Sequence, residues 1–162
     1  MSSLSVYVPE LGQQPVKILT HADDIGAHLK QKGAALLRER SAHIQPGLGE
    51  AELLTHQKSA VDALKSISGL SKAQRLQGAA EPIQSDAQNL YFCTQGRMLV
   101  CLGFDQLYAV ECHQHDAVLV PESTVHWILK EEGAEIIHLS DPATSTDTVL
   151  CHFFEHCKPE LF

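Results

Sequence analysis

The stretch Leu107 to Leu129, LYAVECHQHDAVLVPESTVHWIL, decides how the rest of the chain reads. Tyr108 and Val110 are apolar at a period of two, the pattern of a half-buried strand. Cys112 to Asp116 is a polar turn. Ala117 to Val120 is a short apolar run rich in β-branched residues. Pro121, which has no N–H to give to a ladder, stops it. Glu122 to Thr124 make a second tight turn, and Val125-His126-Trp127-Ile128 re-enters a strand. The pattern continues on both sides. Leu90 to Cys93, Met98 to Leu102 and Ile136 to Leu139 read as strands, with turns at Gln95-Gly96 and Gly103. Regular short strands separated by turn signals point to an antiparallel barrel or sandwich.

The amino-terminal part mixes strands with helices. Leu4, Val6 and Val8 alternate with polar neighbours, an edge strand ended by Pro9, and Val16 to Leu19 is a second short strand. Thr20 reads as the cap of a helix with Asp23 and Asp24 in its first turn. Ile25, Leu29 and Lys32 share a face of that helix, and Gly33 closes it. Residues 35–40 read as a strand, 49–67 as a second helix and 73–77 as a further strand. Near the carboxyl end, Thr144 to Thr148 reads as a polar loop and Val149 to Phe154 as a last strand or helical turn. Pro159 ends the ordered part.

Bulk numbers narrow the function classes. The chain has 162 residues, 44% of them hydrophobic and 20% charged, enough for one domain with a real core. Twelve Lys and Arg against 20 Asp and Glu give a net charge of -8, which argues against nucleic acid and anionic membranes as partners. No apolar run is long enough to span a bilayer, and MSSLSVYVPELG lacks the charged start and long apolar core of a signal peptide. The five cysteines are scattered, with no CxxC, as expected of reduced thiols in a cytoplasmic protein.

Asp116 followed by Pro121-Glu122-Ser123-Thr124-Val125-His126-Trp127 resembles the second motif of cupins, in the form that acireductone dioxygenases carry. The opening strand, the DDIGAHLKQKG helix and the strand that ends in charged residues resemble the same family. The resemblance implies one cupin domain over 1–162: strands and helices over 1–70, a jelly-roll β-barrel over 71–157, and a tail over 158–162. Two or three helices would pack outside the barrel. It also implies a metal held by His-x-His, a Glu four residues on, and a histidine in the second motif. Sliding back without gaps from Gly96 and Phe92 places Ile83, Ser85 and Asn89 at the first three ligand positions and Tyr91 at a following arginine. His126 is the one ligand this alignment keeps, and no histidine lies between His56 and His113 to replace the others. His138 falls where the family carries an inward arginine.

Alternation along the strands places Ile83, Ser85, Asn89, Tyr91 and Cys93 in the interior, facing His126 and His138. The expectation is a cavity in which His126, His138 and Tyr91 do acid–base chemistry while Ser85, Asn89, Cys93 and Trp127 contact a small polar substrate. No cofactor is expected. The alternatives are a rebuilt site with iron, nickel or zinc at His126, and a non-catalytic cupin that binds a ligand or a protein. The expected assembly is a monomer or homodimer, and the expected setting is specialised biosynthesis. Cys112-His113-Gln114-His115 reads as a surface turn. Cys151, His152, His156 and Cys157 read as a solvated tail with one packed phenylalanine face.

Overall fold

The computed structural model describes residues 2–38, 51, 52, 54, 57–77, 81–143 and 145–161. Twelve strands form among them: β1 (Ser3–Tyr7), β2 (Lys17–Leu19), β3 (Ala35–Arg38), β4 (Lys72–Arg75), β5 (Ile83–Ser85), β6 (Asn89–Gln95), β7 (Met98–Gly103), β8 (Leu107–Cys112), β9 (Asp116–Val120), β10 (Val125–Lys130), β11 (Glu135–Ser140) and β12 (Thr146–Thr148). The helices are α1 (Ala22–Gln31), α2 (Lys58–Ser68) and α3 (His152–His156). All strand pairings are antiparallel. One sheet runs β12-β5-β10-β7-β8-β1-β2, the other β3-β9-β6-β11-β4.

Strict alternation sorts the apolar residues onto three surfaces. Tyr91, Met98, Val100, Leu102, Val110, Val118, Val120 and Ile136 fill the space between the sheets. Leu90, Phe92, Ala117, Ile137 and Leu139 cover the outer face of the five-stranded sheet, where α2 lays down Val61 and Leu64. The outer face of the seven-stranded sheet carries Leu99, Cys101 and Trp127, covered by Phe153, Phe154 and Cys157. The carboxyl end is therefore packed rather than solvated, with Cys157 fully buried. This corrects the tail expected there. Cys112 likewise lies buried at the end of β8, not in a surface turn.

The two sides of this sandwich differ. On one, Ile25 and Leu29 of α1 enter the interior cluster with Leu4, Val6 and Ala34, closing the gap between β1 and β3. On the other, β4 ends one sheet while β5 and β12 end the other. That open side is the mouth.

Several boundaries differ from the sequence reading. His21, not Thr20, precedes α1, with no side-chain cap hydrogen bond. Thr146 to Thr148, expected as loop, is β12, because the edge of β5 offers it a ladder from Thr146 opposite Ser85 to Thr148 opposite Ile83. The last element is helix α3. The strand expected over 73–77 is β4, one residue earlier at its start. The strand expected over 35–40 is β3 as far as Arg38, and residues 39 and 40 lie outside the described residues. Of the helix expected over 49–67, positions 49, 50, 53, 55 and 56 also lie outside them, and α2 is its described body.

Candidate functional site

Three strands bring the site together at the mouth. Within β11, a register shift between Glu135 and Ile136 sets His138 directly opposite Tyr91 of β6. Residues directly opposed across an antiparallel pair point to the same face, here the interior. His126 of β10 meets them from the other sheet. Its position is fixed by the turn before it, where Ser123 takes a positive φ of 58° and its N–H donates to the Ser85 carbonyl at 2.8 Å.

Both ring nitrogens of His126 are engaged. Nδ1 lies 2.9 Å from the Thr124 carbonyl oxygen, which can only accept, so Nδ1 carries the proton. Nε2 is then the acceptor for the Tyr91 hydroxyl at 2.7 Å. His126 and Tyr91 are each only 1% exposed. Burial lowers the His126 pKa, partly offset by the Thr124 carbonyl, and burial raises that of Tyr91. The phenol is therefore a fixed donor and the imidazole a fixed neutral acceptor.

His138 is the member nearest solvent. Its ring stacks on Tyr91, centroids 4.6 Å apart and planes 5° from parallel. Nε2–H donates to Asn89 Oδ1 at 2.8 Å. Asn89 is 1% exposed and is held from its other end by the Ala87 carbonyl at 3.4 Å. With Nε2 protonated, Nδ1 of the neutral ring is a lone pair with no partner among the described residues. Burial, then the repulsion a proton on His126 would exert, then the charge of Lys72 lower its pKa to about 4. Neutral imidazole is thus the resting form at neutral pH.

Four of the expected residues meet here: Asn89, Tyr91, His126 and His138. Three others do not join them. Trp127 points to the opposite face of β10 and packs edge-on against Phe154, centroids 5.2 Å apart. Alternation demands this once His126 faces inward. Cys93 is interior, but its thiol is directed at the Gly96 carbonyl (3.4 Å) in the β6–β7 turn, and burial pushes its pKa up to about 12. Ser85 lies on the lip of the mouth, its hydroxyl 2.9 Å from that of Thr146. Beside it a polar cleft of about 210 Å³ is lined by Gln84, Asp86, Ser123, Ser145 and Asp147. The sequence reading missed the opposite lip, formed by Lys72 and Gln74 of β4. Lys72 pairs with Ser140 and Gln74 with His138. Only the alternation of Lys72, Gln74 and Leu76 could have signalled it.

Among the described residues, no three His, Cys, Asp or Glu side chains are grouped so as to hold a metal ion. The donors at the mouth are two imidazoles, a phenol, an amide and a hydroxyl, and His126 Nε2 is already engaged by Tyr91. Such a set does not fit a divalent iron or nickel site, which needs several imidazole and carboxylate ligands with open positions.

Two twisted antiparallel sheets enclosing an inward histidine at one open end define a cupin-type jelly roll. The backbone superimposes with a TM-score of 0.67 on an acireductone dioxygenase from Bacillus anthracis solved with a cadmium ion in its active centre. That pair is 12% identical, over 86% of this chain and 91% of the other. No family model matches the chain. In sequence it is 32% identical over 152 positions to the acireductone dioxygenase of Pseudomonas fluorescens strain Pf0-1, covering 85% of this chain and 84% of that one. The Stutzerimonas stutzeri acireductone dioxygenase is 30% identical over 142 positions, 78% of each chain. The chain belongs to the acireductone dioxygenase family.

Proposed function

We propose that this protein moves a proton on a small, polar, enolisable metabolite held at the barrel mouth, and does so without the family's metal. The observation that carries the reading is the state of His138. Asn89 fixes its tautomer, Tyr91 fixes its plane, and Nδ1 is left as a base at the solvent side of the site. A proton leaving a carbon next to a carbonyl would bond to the Nδ1 lone pair while the electron pair of the broken C–H bond passes into the enolate. The imidazolium so formed keeps its bond to Asn89 Oδ1 and lies over the Tyr91 ring, whose face attracts cations. Returning the proton to another atom of the enolate completes an isomerisation. A base with a pKa of about 4 suits acidic protons, such as those of enediols and 1,3-dicarbonyls, rather than simple ketones. His126 and Tyr91 act as positioning residues, because both are sealed and bonded to each other.

On this reading three of the four family ligands have been replaced, by Ile83, Ser85 and Asn89. Keeping the barrel while changing its donors fits a role in specialised metabolism. Five free cysteines, four of them buried, favour a reducing, cytoplasmic setting.

The test is deuterium incorporation into a 1,3-diketone probe in D2O, followed by proton NMR with untagged protein. Wild type should accelerate exchange, and His138→Ala should lose about a hundredfold or more of that acceleration. Equal rates for the two would refute the proposal. A second reading, a non-catalytic ligand-binding cupin, draws support from the apolar fill of Val100, Leu102, Val118 and Val120 around the site. It expects equal exchange rates with saturable binding of a ligand.

A further inference from the structure

The β4–β11 pair presents to the mouth a row of polar groups that make no hydrogen bond among the described residues. Lys72 stands opposite Ser140, and Gln74 opposite His138. Opposed pairs of this kind have their Cβ atoms about 5 Å apart, so the four side chains form one patch. Ser140 is only 7% exposed. Its hydroxyl makes no hydrogen bond among the described residues, and it is not among the atoms sealed away from solvent without a partner. The Gln74 amide and the Lys72 ammonium are likewise unbonded among those residues. The neighbouring cation on the same strand is committed: Arg75 pairs with Glu135 at 2.6 Å on its outer side. Asp141, next to Ser140, turns its carboxylate to the Ala143 N–H at 2.9 Å.

Three kinds of donor therefore share the face that carries His138: an ammonium, a hydroxyl and an amide N–H. Together they match an oxyanion, which accepts several hydrogen bonds and carries the complementary charge. We infer that Lys72, Ser140 and Gln74 form a subsite for an anionic group of the substrate, a carboxylate or a phosphate, set beside the atoms that face His138. The inference rests on the mouth being the ligand site, as proposed above, and narrows the substrate to enolisable acids or phosphate esters. An anion held there also offsets the charge of Lys72 that bears on His138.

The experiment is a nitrogen-15 NMR titration of untagged protein with succinate and, separately, inorganic phosphate, at ionic strength matched with sodium chloride. The expected result is a saturable shift of the Gln74 side-chain amide and of the backbone amides at 72–74 and 138–140. Lys72→Met should weaken the binding about tenfold or more, as loss of a charge-assisted contact does. Ser140→Ala should weaken it less while leaving Lys72 in place. Whichever anion saturates at the lower concentration identifies the group. No saturable shift with either anion, or the same dissociation constant in Lys72→Met, would overturn the inference. Proton exchange on the neutral diketone does not depend on this subsite. If anions fail to bind while exchange still depends on His138, the subsite falls and the proposed chemistry stands. Binding through Lys72 without exchange has the opposite meaning.

Discussion

Asp116→Ala is expected to lower the unfolding free energy by about 3 kcal/mol, the cost of leaving several buried donors without an acceptor. The carboxylate is 1% exposed and receives three hydrogen bonds from separate parts of the chain. Ser2 Oγ donates to Oδ2 from the amino terminus, the His113 N–H donates to the same oxygen at 3.0 Å, and Arg38 Nε donates to Oδ1 at 2.9 Å. One side chain thus ties β1, β3 and the turn into β9 at the end of the barrel away from His126. Arg38 is 60% exposed and can turn to water, so most of the loss comes from Ser2 and His113. Urea unfolding should show a lower midpoint with little change in slope. An unchanged midpoint would mean that water substitutes freely for the carboxylate.

Acidification should destabilise the fold through the histidines of the site. His138 titrates near 6.5 when unfolded and near 4 when folded, and burial is the main cause. Between those values the unfolded chain binds a proton that the folded chain refuses, so stability falls as pH falls. The contribution is fully present above about pH 6.5 and is lost progressively towards pH 4. A shift of this size corresponds to something on the order of 3 kcal/mol. His126 is lowered in the same direction, for the same first reason. Unfolding by urea at pH 7 and pH 5 should show a larger drop in wild type than in His138→Gln, which keeps a polar side chain and removes the titration. Equal drops would place the acid sensitivity elsewhere.

Much of this site is legible in the amino-acid sequence. Pro121 to Trp127 locate the inward histidine, and alternation places Asn89 and Tyr91 on the face that meets it. Position 138 is reachable because Ile136 to Leu139 form a clear apolar strand. The same alternation puts Trp127 outside, since its neighbour His126 points in, and the expectation of a substrate contact there overlooked it. What stays hidden depends on pairings across long sequence separations. KAQR has no apolar rhythm, so the alternation of Lys72 and Gln74 with Leu76 is the one local hint that they face the mouth, and their register against Ser140 and His138 decides it. TDT is a strand only because β5 has a free edge. The tyrosine–histidine bond joins residues 35 positions apart on different sheets, and no spacing rule encodes it.

That bond is also where the chain departs most from what its family implies. A phenol donates to Nε2 of the inward histidine, and the second histidine lies nearest solvent, which is the arrangement on which the proposed metal-free chemistry rests. The measurement that tests this most directly is the metal content of untagged protein, grown with iron, nickel, manganese and zinc supplied and compared with His126→Ala. Only background metal is expected in both proteins. Near-stoichiometric metal in wild type that disappears in His126→Ala would contradict the metal-free reading.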